Sequence, residues 1–271
     1  MASFTFKAAA QVVLMVLAVT LQPQAAEGLT VGKEQREFDY FVLALQWPGS
    51  SCRNVSMCCP TNGCCHRAEF PAEFTIHGLW PQYQEKGWPS CCTNETFNEN
   101  EVSSLFEDLD RYWPSYRCGL VSSCDNKKGS FWAHQYEKHG TCGSPVILHQ
   151  YDYFFTTLAL FFNYNVTEVL EDAEIVASDT KKYGIEDVFE AVRSAFKANP
   201  KLSCGKNGII KELRLCFDKE FKVIDCDATK SCPKFVRLPE FHELPRSTMV
   251  KRAIPRMIDV EATSFFSSNK V

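Results

Sequence analysis

Cysteine is the residue type that most constrains how this chain folds. The sequence places 14 cysteines among 271 residues, and reducing compartments rarely tolerate so many thiols in one protein. The count therefore predicts a disulfide-stapled fold that forms in the oxidising lumen of the secretory pathway. A zinc cluster in the segment CCPTNGCCH, residues 58–66, is the alternative, and an oxidising compartment makes it the weaker one.

The N-terminal segment agrees with that compartment. Residues 1–26 carry Lys7, an apolar run from Val12 to Val19 and small residues before Glu27, which is typical of a cleaved signal peptide. The run is about half of the roughly 20 residues that a membrane span needs, so we expect no stable membrane association after cleavage. Sequons that become eligible for glycosylation in the lumen lie at Asn54, Asn94 and Asn165.

Charge and composition exclude several classes of protein. The chain is 45% hydrophobic and 23% charged, which excludes disorder, collagen and coiled coil. Its 29 basic and 33 acidic residues give a formal net charge of −4. That balance argues against a protein that binds duplex nucleic acid by neutralising many phosphates, although a local basic groove is compatible with it.

Two apolar runs early in the mature chain predict strands. The segment FDYFVLALQW, residues 38–47, mixes aromatic and aliphatic residues and stops at Pro48, as a buried strand does. In AEFTIHGLW, Phe74 and Ile76 fall on one face of a strand and His77 on the other. We therefore expect His77 to point away from the apolar core.

The rest of the chain mixes helices with strands. Apolar residues recur at helical spacing over 102–112, with Asn98 or Asn100 as the cap, over 131–140, over 151–162 and over 185–197. Alternation predicts strands over 209–217 and in 220–226. Without a βαβ period, a repeat or a Gly-rich linker, we predict one α+β domain over 27–245, a central antiparallel sheet flanked by helices. Residues 246–271 form a C-terminal extension, flexible or a sorting signal.

Two histidines are the strongest candidates for chemistry. His77 and His139 suit acid and base catalysis because a free imidazole titrates at about 6.5, but their spacing says nothing about proximity. On a helix, His134, Gln135, Lys138 and His139 fall within roughly 140° of arc, a face that suits an anion. Glu137 lies on the other flank, as a solvated charge or a support for Lys138. A metal site made of His134, His139 and Cys142 is the rival, and a disulfide at Cys142 is preferred.

The motifs FTIHGLWP and FWAHQYEKHGTC contain these histidines, with FVLALQWPGSSC upstream and SCPKFVRLPEF near the end. In this order they resemble the T2 family of acid endoribonucleases, and within it the S-like ribonucleases of plants. The likeness covers about residues 36–241. Two long motifs with matching cysteines are far more specific than a single pair of histidines.

The resemblance implies a mechanism for single-stranded RNA. His139 removes the 2′-OH proton and His77 protonates the leaving 5′-oxygen, giving a 2′,3′-cyclic phosphate. Lys138 and His134 bind the phosphate, and Trp80 bounds the cleft. No metal or other cofactor is required, and DNA lacks the nucleophile.

The resemblance also assigns a base pocket. Gln46 and Phe131 match positions that line it, with a strand hydrogen bond and a core aromatic as the plainer alternatives. The other tryptophans are expected to serve packing: Trp47, Trp88, Trp113 and Trp132.

One position departs from the family. Active enzymes carry a glutamate directly after the first histidine of the second motif, and here that residue is Gln135. A neutral amide keeps hydrogen bonds to the phosphate but offers neither proton transfer nor charge, so we predict reduced or altered activity. The alternative is a catalytically impaired relative with a storage or recognition role. A lectin-like or inhibitor domain is a third option, and it leaves the two ordered histidine motifs unexplained.

The family pattern pairs Cys204 with Cys232 and Cys216 with Cys226. Cys142 is expected to bond Cys91 or Cys92, with Cys92–Cys142 preferred, and Cys52 to bond Cys58. The remaining cysteines are left unassigned. We further expect a monomer in the secretory pathway, held in the vacuole or released outside the cell.

Overall fold

A computed structural model of the chain describes residues 35–53, 55, 58–59, 61–65, 73–227 and 231–242. The predicted signal peptide, the sequon at Asn54 and the C-terminal extension lie outside these residues. Within the described part, none of the helices combines the length and the apolar character that a membrane span requires.

The described residues form a mixture of strands and helices. The strands are β1 (Tyr40–Gln46), β2 (Thr75–Gln82), β3 (Val121–Ser122), β4 (Lys128–Gly129), β5 (Tyr183–Gly184), β6 (Lys201–Cys204), β7 (Ile210–Phe217), β8 (Val223–Ile224) and β9 (Phe235–Val236). The α-helices are α1 (Pro48–Ser51), α2 (Phe106–Tyr112), α3 (Phe131–Lys138), α4 (Gln150–Asn163), α5 (Val166–Asp172) and α6 (Ile185–Phe196). Short 3₁₀ helices span Gly63–Cys65, Glu99–Leu105, Cys124–Asn126, Gly140–Cys142 and Lys206–Gly208.

A five-stranded antiparallel sheet forms the centre of the fold. Its order is β2-β1-β7-β6, and β8 pairs with β7. Strand β1 is central, and five successive residues in its middle are buried, as its unbroken apolar sequence predicts. The helix α4 packs against β1 and β2, burying Tyr153 and Phe154. The predicted α+β class is therefore confirmed.

One predicted helix differs in type over its first half. Residues Glu99–Leu105 form a 3₁₀ helix before α2 continues to Tyr112. Asn98, one of the two expected caps, accepts a hydrogen bond from the backbone N–H of Asn100. This cap bonds a residue only two positions ahead and is followed by the tighter turns of a 3₁₀ helix, a common start for an α-helix.

All 14 cysteines lie in disulfides. The bonds Cys92–Cys142, Cys204–Cys232 and Cys216–Cys226 agree with the expected pairs. Two further bonds, Cys59–Cys118 and Cys91–Cys124, were not among the predicted pairs.

The expected bond between Cys52 and Cys58 is wrong. Cys52 bonds Cys64 and Cys58 bonds Cys65. The two adjacent partners lie in the 3₁₀ helix Gly63–Cys65, where successive side chains diverge by about 120° and so reach different cysteines. The short sequence separation of Cys52 and Cys58 gives no information about this 3₁₀ turn.

Trp88 was expected to pack, and this expectation is also wrong. Its side chain is 56% exposed, whereas Trp47 and Trp113 are buried in the core. Trp88 lies between Gly87, which has a left-handed φ of 108°, and Pro89, so the chain turns at this point and carries the indole outward.

Candidate active site

A cleft opens where β1, β2, β7 and α3 come together. It has a volume of about 510 Å³. Its lining includes Gln46, His77, Phe131, His134 and Gln135, which are sequence-predicted site residues, together with Glu212 from β7. The sheet and one helix thus bring together residues that lie far apart in the sequence.

His77 lies in a β-bulge. Ala44 of β1 faces Gly78 of β2, whereas the next residue, Leu45, faces Ile76, so His77 is the extra residue. A bulge twists its strand and redirects the side chain that it carries. The carbonyl oxygen of His77 accepts a hydrogen bond from Nε1 of Trp113 at 3.0 Å, which anchors the bulge to the core.

The helix α3 positions the second group of residues. Ser130 caps its N-terminus, accepting a hydrogen bond from the backbone N–H of Ala133 at 3.1 Å, and Gly140 follows its end. The predicted polar face is present, but its members differ in burial. Gln135 and His139 are buried, whereas His134 and Lys138 are half-buried.

Trp80 contacts both predicted catalytic imidazoles. Its ring centroid is 5.0 Å from that of His77 and 5.6 Å from that of His139. The ring centroids of His134 and His139 are 6.0 Å apart. The structure therefore brings both histidines to one indole.

His139 is held as a neutral imidazole. Burial lowers its pKa most, and the positive charges of His134, Lys138 and His77 lower it further, to about 3. Its Nδ1 is buried and finds no hydrogen-bond partner among the described residues. Burial, the largest cause, thus favours the neutral form of His139, which can accept a proton.

Gln135 binds Trp80. Its Oε1 accepts a hydrogen bond from Nε1 of Trp80 at 3.0 Å, which fixes the orientation of the amide because the indole only donates. A Cβ at Gly78 would lie 2.3 Å from this oxygen and 2.4 Å from the indole nitrogen, so the packing requires glycine there. The amide was expected to hydrogen-bond the phosphate, and its oxygen is instead the acceptor for the indole of Trp80.

The sequence suggested that Glu137 is a solvated charge or a support for Lys138, and the structure gives it different partners. Its carboxylate accepts hydrogen bonds from the backbone N–H of Phe97, at 3.1 Å, and from Oγ of Ser123. The flank of α3 opposite the histidines faces these two loops rather than open solvent. Glu137 therefore ties α3 to its supports.

The base-pocket candidates have structural contacts of their own. Nε2 of Gln46 donates to the carbonyl oxygen of Ile76 at 3.3 Å, the plainer alternative for this residue. Phe131 is half-buried and stacks on His77, with ring centroids 5.9 Å apart. Both still line the cleft. The rival metal site loses a ligand, because Cys142 is bonded to Cys92.

Sequence reasoning missed Glu212 and Arg214. Oε1 of Glu212 lies 2.5 Å from Nδ1 of His77, and Oε2 accepts hydrogen bonds from Nε and Nη2 of Arg214 at 3.0 and 2.6 Å. Burial raises the pKa of Glu212, but the hydrogen bond and charge of His77 together with Arg214 lower it overall to about 2. The signal was an acid and a base two positions apart on one face of β7.

His77 lines the cleft, whereas Trp80, Lys138 and His139 are not among its lining residues. Fold and site together define a disulfide-rich α+β protein with two imidazoles at one indole beside a cleft. The model of the ribonuclease T2 family matches residues 38–226, and the chain belongs to that family. Ribonuclease 3 of Arabidopsis thaliana is 35% identical over 226 residues, which cover 80% of this chain and 96% of that protein.

Solved structures agree with this assignment. A structure described as trichomaglin, a novel S-like ribonuclease, is 54% identical with a TM-score of 0.73, over 76% of this chain and all (100%) of that chain. The RNase-related protein from Calystegia sepium is 43% identical with a TM-score of 0.72, over 77% of this chain and 100% of that one. The predictions of the T2 family, its S-like group and a T2-type ribonuclease are therefore confirmed.

Proposed function

We propose that this chain cleaves single-stranded RNA by internal transesterification, leaving a 2′,3′-cyclic phosphate, without a metal. His139 takes the proton from the 2′-oxygen as that oxygen attacks phosphorus. His77 gives a proton to the 5′-oxygen as the P–O5′ bond breaks. The observation that carries the proposal is that both imidazoles contact the ring of Trp80, beside the cleft that His77 lines.

The environments of the two rings support this division of roles. A base must be unprotonated before it acts, and the pKa of His139, lowered to about 3 mainly by burial, keeps the ring neutral even in mild acid. The activity is therefore expected to persist on the acid side of neutrality. Lys138 and His134 supply positive charge for the phosphate near that ring.

Digestion of single-stranded RNA in EDTA tests the proposal. The purified natural protein is compared over several pH values with His77→Ala and His139→Ala, each expected to lose about 100-fold or more of the activity. His149→Ala is the control, because His149 is exposed and lies outside the residues that line the cleft. If His77→Ala and His139→Ala both digest RNA as well as this control, the catalytic role of the pair is wrong.

The substrate chemistry is tested with matched oligonucleotides. An RNA strand is expected to be cut to fragments that carry a cyclic phosphate, detected by mass. The same strand with a 2′-O-methyl or 2′-deoxy sugar at each position is expected to stay intact, because it lacks the nucleophile. Cleavage of the modified strands would overturn the mechanism.

Gln135 favours a second candidate, a catalytically impaired relative with a storage or recognition role. The amide keeps the hydrogen bond to Trp80 and supplies no negative charge. One measurement, RNA binding compared with RNA cleavage, distinguishes an enzyme of reduced activity from this alternative. RNA binding without cleavage by the natural protein at every pH value supports the second candidate.

The proposal includes secretory processing of the chain as a monomer, with vacuolar or extracellular delivery. Asn94 and Asn165 are both exposed, which suits glycosylation. Asn165 also caps α5 through the backbone N–H of Glu168 at 3.2 Å, and a glycan on its Nδ2 leaves that Oδ1 contact in place. Mass spectrometry of the secreted protein before and after glycan removal tests both sites, and gel filtration tests the monomer.

A further inference from the structure

The hydrogen bond between His77 and Glu212 crosses a strand. His77 is on β2 and Glu212 on β7, and β1 runs between them. Two strand spacings amount to about 10 Å, which side chains of regular register do not span easily. The β-bulge at His77 redirects its ring, and Nδ1 and Oε1 meet above β1 at 2.5 Å.

The carboxylate of Glu212 is itself held in place. Arg214 binds its other oxygen through two nitrogens, and the guanidinium lies 5.1 Å from the centre of the Trp80 ring. The side chain of Glu212 is only 15% exposed. Each oxygen therefore has a fixed partner, and the group enters the cleft as a preorganised acceptor.

From this geometry we infer that Glu212 is a positioning residue for His77. Its Oε1 accepts the Nδ1–H bond, which keeps the hydrogen on that nitrogen and leaves Nε2 free to face the 5′-oxygen of the substrate. The inference rests on the proposed role of His77 as the acid. Arg214 acts one step further out, by orienting Glu212.

The proton balance of the step fits this arrangement. When Nε2 gives its proton to the 5′-oxygen and the P–O5′ bond breaks, the neutral ring keeps its hydrogen on Nδ1. That tautomer is the one that a carboxylate at Nδ1 stabilises. Before the step, the same carboxylate faces the positive charge of the imidazolium.

The charges around the cleft are mostly positive, and this makes the carboxylate of Glu212 distinctive. Among the described residues that line it, Glu212 is the single carboxylate, since position 135 holds an amide. The other titratable groups near His77 are His134, His139, Lys138, Arg117, Lys211, Arg214 and Tyr116. The one carboxylate among these residues therefore lies beside His77, the proposed acid, rather than beside His139, the proposed base.

The test separates positioning from folding by the choice of leaving group. Glu212→Gln, Glu212→Ala and Arg214→Gln are compared with the exposed control Glu220→Gln, using a dinucleotide and a nucleoside 3′-(4-nitrophenyl phosphate). Nitrophenolate leaves without a proton, so it needs no acid. We expect Glu212→Ala to lower kcat for the dinucleotide by about 10-fold or more, with a much smaller loss for the activated ester and little change in KM.

The pH profile and the double variant extend this comparison. Glu212→Gln keeps an acceptor oxygen and removes the charge, so we expect it to retain more activity than Glu212→Ala and to move the alkaline limb of the dinucleotide profile to lower pH. Adding Glu212→Ala to His77→Ala should cause no further loss on the dinucleotide, because both act through one ring.

Nitrogen-15 spectra of the histidines give a readout that does not depend on turnover. In the natural protein His77 is expected to carry its hydrogen on Nδ1 when neutral, and in Glu212→Ala to become a mixture of tautomers. An unchanged tautomer, or an equal loss on both substrates, overturns the positioning role. If His77→Ala keeps full activity, the proposed function fails instead, so the two failures are distinct.

Discussion

At the scale of single residues, position 135 separates two tasks that one side chain can perform. The oxygen of Gln135 accepts the Trp80 indole hydrogen bond at 3.0 Å, a task that needs no charge. In the proposed mechanism His139 gains a proton as the 2′-oxygen attacks, and support for the imidazolium that forms needs a negative charge nearby. The amide performs the first task and omits the second.

A glutamate at this position should restore the omitted task. Gln135→Glu keeps the acceptor for Trp80 and adds a negative charge beside His139, which stabilises the imidazolium that forms during attack. We expect kcat on single-stranded RNA to rise by about 10-fold, with the acid limb of the profile moving to higher pH. Steady-state kinetics over pH measure both effects.

The matched control for that substitution is Gln135→Ala. It removes the acceptor and leaves the half-buried indole N–H of Trp80 without this partner, at a cost of roughly 1 kcal/mol in unfolding free energy. A Gln135→Glu variant that is no faster than the natural protein would contradict the assignment of charge support to this position.

At the scale of the elements, the sequence predicted what is local and missed what depends on register. The strand β1 and the helices α4 and α6 follow from unbroken or periodic apolar residues. The long motifs indicated His77 and His139 before any pairing of elements was known. Local patterns therefore sufficed for most elements, and the motifs alone carried the prediction of the histidine pair.

The bulge and Glu212 were not predictable in this way. His77 becomes the extra residue only when Ala44 and Leu45 pair with Gly78 and Ile76 on a particular register. Glu212 reaches His77 only because β7 pairs with the other side of β1. Alternation placed Glu212 among polar residues, and nothing in β7 alone says that its polar face closes a cleft.

The glycine beside the bulge leads to a prediction for this element. In Gly78→Ala, the new methyl group would lie 2.3 Å from the Gln135 amide oxygen and 2.4 Å from the Trp80 nitrogen. Either the indole or the amide must move, so we expect a loss of roughly 1–3 kcal/mol in unfolding free energy, measured in urea. RNA cleavage should also fall, because Trp80 contacts both imidazoles.

Relief of that clash provides the control. Adding Gln135→Ala to Gly78→Ala removes one of the two close contacts, so the combined loss of stability should be smaller than the sum of the single losses. A Gly78→Ala protein as stable and active as the natural one would show that the cleft tolerates the methyl group and that its packing is looser than described.

At the scale of the whole molecule, disulfides join the turn after α3 to distant loops. Cys92–Cys142 bonds the turn after α3 across 50 residues of sequence, and Cys91–Cys124 closes the adjacent loop. Replacing Cys92 and Cys142 together by serine should cost roughly 2–4 kcal/mol in unfolding free energy. We also expect lower kcat for the folded variant, because the turn that carries His139 loses its brace.

The control for that pair is the double replacement of Cys216 and Cys226. This bond lies on β7 and the segment after β8, and it spans 10 residues. Its removal should also lower stability, by less because the closed loop is shorter, and should leave kcat of the folded protein near its natural value. Equal losses of kcat in both double variants would argue against a specific brace at His139.

The lowered pKa values of His139 and Glu212 predict that the whole fold loses stability in acid. The folded pKa of His139 is about 3 against 6.5 for the free side chain, so between these values the unfolded chain binds more protons. Stability must then fall as the pH drops through this window, by at most about 1.4 kcal/mol per pH unit. Glu212, with a folded pKa of about 2 against 4.5, adds a loss below pH 4.5 in the same direction.

The fold is therefore expected to weaken in mild acid, and its disulfides offset this loss by restricting the unfolded chain at every pH. The prediction is checked by urea unfolding of the oxidised protein from pH 7 to pH 4. The natural protein should lose stability more steeply over this range than His139→Gln, whose side chain does not titrate. Parallel curves for the two proteins would mean that His139 takes up protons as readily when folded as when unfolded, and its role as a neutral base in acid would then be wrong.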